Sequence, residues 1–110
     1  MDVPNDRMLR FLLPRGNCRI EPVHVTLSPR EKRNEWTVHQ GTEFGYVITG
    51  SPEISLEGRE SITCREGDAI VYNSSIRHYW QNLGEGVAEV LLVAFPRVDF
   101  RGELQGALRA

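Results

Sequence analysis

The chain has almost no helical periodicity, no long apolar run, and little histidine, cysteine or lysine. Each scarcity excludes something. The most apolar stretch near the start, Met8-Leu9-Arg10-Phe11-Leu12-Leu13, is interrupted by Arg10 and precedes no small-residue cleavage site. It is too short for a secretory core or a membrane span. Cys18 and Cys64 lie far apart, with no C-x-x-C spacing. Neither a disulfide framework nor a zinc ribbon is legible, so two reduced thiols and a cytoplasmic location are expected. One Lys and twelve Arg face fifteen acidic residues, for a net charge of −2. No general basic field for nucleic acid follows from that balance. There is also no Gly-rich phosphate loop behind a strand and no Ser/His/Asp order.

What is present is short apolar alternation between Gly, Pro, Asn and Asp punctuation, the pattern of an all-β domain. With 110 residues, 40% hydrophobic and 25% charged, the chain suits a single domain over 1–110 that buries a core without staples. Strands are expected at Met8–Leu13, Val23–Leu27, Glu43–Thr49, around Ile54 and Leu56, around Ile62 and Cys64, and at Ala69–Tyr72, Arg77–Asn82 and Val87–Phe95. Turns at Gly50-Ser51-Pro52, Gly58-Arg59, Glu66-Gly67-Asp68 and Leu83–Gly86 separate them. Arg30–Glu35 reads as an exposed polar loop, His24 as an exposed residue, and Leu104–Leu108 as at most one helical turn. Regularly spaced strands without crossover helices give an antiparallel sandwich or jelly-roll barrel. Val87–Phe95 is apolar on both faces, which requires cover on both sides, so a homodimer is expected. On this reading a charge at Val90 or Leu92 makes the protein monomeric or insoluble.

The residues that carry chemistry are few. His39-Gln40-Gly41-Thr42-Glu43 sets an imidazole four residues before a carboxylate at a strand entry, and His78 lies far along the chain. Two His and one carboxylate form the facial triad that holds Fe(II) with open coordination positions. The set suits Mn, Ni, Co or Zn equally, and spacing does not choose among them. On composition alone, a loop His and a strand His with no shared task are the more ordinary reading, since His/Glu pairs at short spacing are common by accident.

At this point the sequence resembles the cupins, small jelly-roll barrels with a double-stranded β-helix. Their first motif is G-x5-H-x-H-x3,4-E-x6-G. His39, Glu43 and Gly50 fit its second half, and Phe44-Gly45-Tyr46-Val47 strengthens the match. Gly67, His78 and Asn82 fit the spacing of the second motif, G-x5-P-x-G-x2-H-x3-N. The motif core covers about residues 37–82, and the likeness extends over roughly 8–96. The sequence departs where Thr37 replaces the first His, Glu31 the leading Gly, and Asn73 and Ser75 the Pro and Gly of the second motif. The resemblance thus implies a divalent metal on a reduced set, His39, Glu43 and His78, similar to the iron site of hydroxypropylphosphonate epoxidase-type enzymes.

Period two then sketches the pocket. Gly45 shares Glu43's face and leaves room beside the metal, while Trp80 and Asn82 share the face of His78. Thr37 and Tyr72 complete the lining. Trp80 and Tyr72 also suit plain barrel core, and Arg77 a solvated rim. The chain is similar to the C-terminal effector domains of phage-repressor-like helix-turn-helix regulators, which implies a sensor module for a small metabolite. The DNA-binding helices of such regulators have no counterpart here, so no nucleic acid or membrane partner is expected of this chain alone. The alternative is a metal-dependent oxygenase, oxidase or isomerase, for which Tyr46 and Tyr72 are the only acid or base candidates. A third reading is a metal-free jelly roll acting through self-association.

Overall fold

The computed structural model describes residues 7–14, 19–33 and 35–96. Cys18 and the Leu104–Leu108 stretch lie outside them. Eight strands follow in chain order: β1 (Arg7–Phe11), β2 (Glu21–Leu27), β3 (Thr42–Thr49), β4 (Glu53–Leu56), β5 (Ile62–Thr63), β6 (Ala69–Asn73), β7 (His78–Gln81) and β8 (Ala88–Phe95). They form a five-stranded sheet in the order β1-β2-β8-β3-β6 and a three-stranded sheet in the order β5-β4-β7. Every pairing is antiparallel. This is the all-β jelly-roll barrel expected of the alternation.

Period two sorts the side chains. Val23, Val25 and Leu27 of β2, Val47 of β3, Ile54 and Leu56 of β4, Tyr72 of β6, Trp80 of β7, and Ala88 and Val90 of β8 form one core, with Leu9, Phe11, Ile70, Ile76 and Leu92 packed against it. Gly50 closes β3 with φ +90°, and a Cβ there would lie 2.7 Å from Ala88, so the turn requires glycine for both its backbone angle and the close approach.

Three expectations are corrected. Arg30–Glu35 is not uniformly exposed, because Glu31 is fully buried. Its Oε2 accepts from Arg7 Nε at 2.9 Å, Arg33 Nη2 lies 3.4 Å away, and Oε1 accepts from the Ser28 amide at 3.2 Å. Arg7 also donates to the Trp80 carbonyl at 2.7 Å. The network ties β1 and the loop to β7. Burial lowers the Arg7 pKa from its usual value, opposed by Glu31. His24 is half-buried rather than exposed, with Nε2 3.4 Å from Glu89 Oε1. On β8, Val90 and Leu92 face the barrel interior, and Val90 is only 1% exposed. A charge there strikes the core and not a surface between copies. The outward residues of β8 are Glu89, Leu91, Val93 and Phe95, continuous through the strand pairing with Phe44, Tyr46 and Val71.

Removing one partner of a buried ion pair leaves uncompensated charge, so Glu31→Ala is expected to lower stability by about 3–5 kcal/mol in urea denaturation. Val90→Asp is expected to abolish folding, whereas Leu91→Asp on the outer face leaves the circular dichroism spectrum unchanged.

Candidate metal centre

Three elements bring the centre together. Glu43 points into the barrel because it shares the inward phase of Gly45 and Val47 on β3. His39 precedes β3, and its amide donates to the Ser74 carbonyl at 3.0 Å. Gly41, at φ +112°, turns the chain between them, and a Cβ there would lie 2.3 Å from the Phe95 carbonyl oxygen. His78 opens β7, and its backbone pairs with Thr37 through N–H to O bonds of 2.7 and 2.9 Å.

The ligand atoms of His39, Glu43 and His78 lie within 4.8 Å of one another. His39 Nε2 is 3.5 Å from Glu43 Oε2, and His78 Nε2 is 3.4 Å from Glu43 Oε1. The imidazole planes are near perpendicular, 80° apart with centroids at 5.5 Å. Metal bonds of about 2.1 Å place neighbouring donors about 3.0–3.4 Å apart in octahedral or tetrahedral geometry. The two imidazole–carboxylate separations lie at the upper edge of that spacing, and the nitrogen and carboxylate donors suit a borderline divalent cation.

The protonation pattern sharpens the fit. His78 Nδ1 lies 2.7 Å from the Ile76 carbonyl, which only accepts, so Nδ1 carries the proton. In the neutral ring, Nε2 then turns a lone pair toward a carboxylate oxygen 3.4 Å away. Two acceptors face each other, and only a cation between them, a proton or a metal, relieves the repulsion. Fixing Nδ1–H on a backbone carbonyl is also how proteins orient a metal-binding imidazole.

Glu43 is held from the other side. The Tyr72 hydroxyl donates to Oε1, and Trp80 Nε1–H donates to the Tyr72 oxygen at 3.0 Å. Burial pushes the Glu43 pKa up, but hydrogen bonds from His39 and His78, the charge of His78 and the Tyr72 hydroxyl outweigh it and hold the group at about 2, against 4.5. Tyr72 is pushed well above its ordinary pKa of 10, by burial first and then by the Glu43 charge. It is therefore a fixed phenol donor and a poor base.

The other expected pocket residues divide. Tyr72 and Trp80 adjoin Glu43 as described. Thr37 is half-buried beside His78. Gly45 leaves no open space beside the cluster, because a Cβ there would meet the Trp80 ring at 2.7 Å; the indole occupies that space. Asn82 does not line the pocket. Its Nδ2 donates to the carbonyls of Leu27, Ser28 and Gly86, and its Oδ1 accepts from the Gly84 amide, so it clamps two loops. Arg77 is half-exposed, 3.9 Å from Glu57. Trp36 packs on Tyr79 with centroids at 4.9 Å, and Tyr46 faces outward. Cys64 is buried, and burial followed by Asp68 raises its thiol pKa.

Besides Glu31, the buried polar residues Glu21, Ser55 and Ser74 escaped the sequence reading. Glu21 shares the inward phase of Val23, Val25 and Leu27, and lies on one row with Ala94 and Glu43. Extending the alternation by one step back from Val23 would have found it. Ser74 is fully buried one step beyond β6, and the same extension forward from Tyr72 would have found it.

A jelly-roll barrel with a His/Glu/His cluster inside it defines a class, and the comparisons agree. The Cupin domain family model matches residues 23–94, and the chain belongs to that family. The fold is similar to an RmlC-like cupin family protein with a double-stranded β-helix fold from Methanocaldococcus jannaschii (TM-score 0.71, 18% identity, 84% of this chain and 82% of that one). It is also similar to the cupin domain of an XRE family transcriptional regulator from Enterobacter cloacae (0.71, 21%, 83% and 98%). A protein from Thermus thermophilus is similar as well (0.74, 21%, 87% and 89%). At such identities the likeness is one of fold. No curated protein matches the sequence at a significant level.

Because the folded pKa of Glu43 lies below its ordinary value, its ionised form stabilises the fold above pH 4.5, and that stability is lost as pH falls toward 2. In chelator-treated protein, the stability difference between wild type and Glu43→Gln is therefore expected to shrink across that window. A difference independent of pH would contradict the assignment.

Proposed function

We propose that the chain is a small-molecule-binding cupin domain acting as a sensor or regulatory module, with a divalent metal held by His39, Glu43 and His78 in its ligand site. The observation that carries this reading is the cluster of one ligand atom each from His39, Glu43 and His78, all within 4.8 Å of one another inside the barrel. A bound divalent ion supplies a Lewis-acid anchor with open positions for a ligand's oxygen donors. The protein's own groups set the geometry. Ile76 fixes the His78 ring, Tyr72 holds one Glu43 oxygen, and the Trp80 indole fills the space beside Gly45 and keeps that wall dry. The regulatory part of the reading is supported by the fold likeness to the Enterobacter cloacae regulator's cupin domain, nearly all of which the match covers.

A metal-dependent enzyme is the second reading. Glu21, buried on the same inward row as Glu43, is the carboxylate such a reaction would use as acid or base, since Tyr72 is committed to Glu43 and Tyr46 faces outward. Oxygen consumption by Fe(II)-loaded protein with small acids, lost in Glu21→Gln, separates this reading from the first.

Calorimetric titration of protein purified without a nickel column is expected to give one Co(II) or Mn(II) per chain. Tyr72→Phe weakens binding about 10–100-fold, the usual effect of removing a group that orients a ligand. His78→Ala weakens it further. Metal binding unaffected by His78→Ala would overturn the assignment.

We further propose that a second copy covers the outer face of Phe44, Tyr46, Val71, Leu91 and Val93. Wild type is then expected to elute as a dimer on a sizing column and Leu91→Asp as a folded monomer; identical elution would exclude this face.

A further inference from the structure

Trp80 donates to none of the three metal-binding side chains, yet its ring is fixed from two sides. Its backbone pairs with Ile54 of β4, and its carbonyl accepts from Arg7 Nη2 at 2.7 Å. At the ring, the missing side chain of Gly45 provides the seat: a Cβ there would lie 2.7 Å from Trp80 Cζ2 and 3.3 Å from Cη2. Gly45 is two residues from Glu43 on the inward face of β3, so the indole sits on the strand that carries the carboxylate. A phenyl ring would fill such a seat as an apolar group. Packing alone therefore does not account for the one polar group of the indole.

That group has one partner. Nε1–H can only donate, and it donates to the Tyr72 oxygen at 3.0 Å. The phenol's own proton goes to Glu43 Oε1. Donation therefore runs one way, from indole to phenol to carboxylate. Trp80, Tyr72 and Glu43 are 4%, 6% and 2% exposed, so water replaces no member of the chain. In such a chain each hydrogen bond polarises the next, and a phenol oxygen that accepts a proton is the stronger donor for it.

Metal affinity depends on the last member. A carboxylate ligates a divalent cation in its deprotonated form, and the hydrogen bonds it accepts hold its charge and its orientation. We infer that Trp80 is a positioning residue of the metal centre: seated against Gly45, its N–H fixes the Tyr72 hydroxyl on Glu43, which raises the affinity of His39, Glu43 and His78 for a divalent ion. This rests on the metal-site reading above. Trp80 acts through Tyr72, and without the phenol its N–H has no effect on the metal.

The test is a double-mutant cycle on the full chain, with Co(II) affinity measured by calorimetric titration. Trp80→Phe keeps a ring in the seat and removes the N–H. It is expected to weaken Co(II) binding about threefold to tenfold, the loss of one neutral hydrogen bond. In a Tyr72→Phe background the same substitution is expected to change affinity by less than about twofold. Wild-type affinity in Trp80→Phe overturns the inference. Equal weakening in both backgrounds also overturns it, because Trp80 then acts by packing. A second readout leaves Trp80 in place and stands even where Trp80→Phe does not fold. In protein carrying isotope-labelled tryptophan, Zn(II) is expected to shift the magnetic resonance of the Trp80 indole N–H, and to shift it less in Tyr72→Phe. Trp36, which packs on Tyr79, is the control, assigned by Trp36→Phe. A Trp80 signal unmoved by bound Zn(II), or moved equally in Tyr72→Phe, overturns the inference. Absence of metal uptake by wild type defeats the metal reading and this inference with it. Metal uptake without coupling between Trp80 and Tyr72 defeats this inference alone.

Discussion

The centre of this protein depends on one electrostatic constraint: a carboxylate buried inside an apolar barrel must be compensated. Glu43 is 2% exposed, and water supplies it almost nothing. Two imidazoles, a phenol and, through that phenol, an indole surround it instead. The hydrogen bond from His78 Nδ1 to the Ile76 carbonyl then determines what the imidazole offers Glu43: an acceptor, unless a cation intervenes. A proton on His78 Nε2, or a metal ion held there, would satisfy both groups. The same arrangement makes the metal-free centre sensitive to acid, since it is the ionised carboxylate that its neighbours stabilise.

The scaffold meets a second constraint of the same kind at Glu31. A buried carboxylate in the loop before β3 is compensated by Arg7 from β1 and by Arg33, while Arg7 also bonds the Trp80 carbonyl on β7. Trp80 in turn packs against Gly45 and donates to Tyr72, which holds Glu43. The two buried carboxylates are therefore linked through one tryptophan. Glu31 is thus joined by a chain of contacts to the wall of the candidate site, of which it is no part.

The fold was legible because period-two alternation is a local signal. Val23, Val25 and Leu27 announce a half-buried strand without knowledge of what covers it, and Glu43, Gly45 and Val47 announce the inward face of β3. The metal-site residues were legible only through spacing against a family pattern, since His39 and His78 stand thirty-nine positions apart in the chain. What stayed hidden depends on distant partners. Glu31 sits in a run of charged residues, and its burial follows from Arg7, twenty-four residues away. Gly45 looked like open space, because its own sequence says nothing of the Trp80 ring that fills it. Asn82 shares the phase of His78, yet it lies just past the end of β7, where loop carbonyls capture its amide. β8 reads as apolar on both faces, and which one faces the core depends on the neighbouring strands and not on β8 itself.

The most direct test of the central claim is a crystal structure of Co(II)- or Mn(II)-loaded protein with anomalous data collected at the metal edge. The account predicts one anomalous peak per chain, bonded to His39 Nε2, a Glu43 carboxylate oxygen and His78 Nε2, with His78 Nδ1 still on the Ile76 carbonyl and the Tyr72 hydroxyl still on Glu43. A well-ordered barrel with no peak at these three residues, or with its metal held elsewhere, would contradict it.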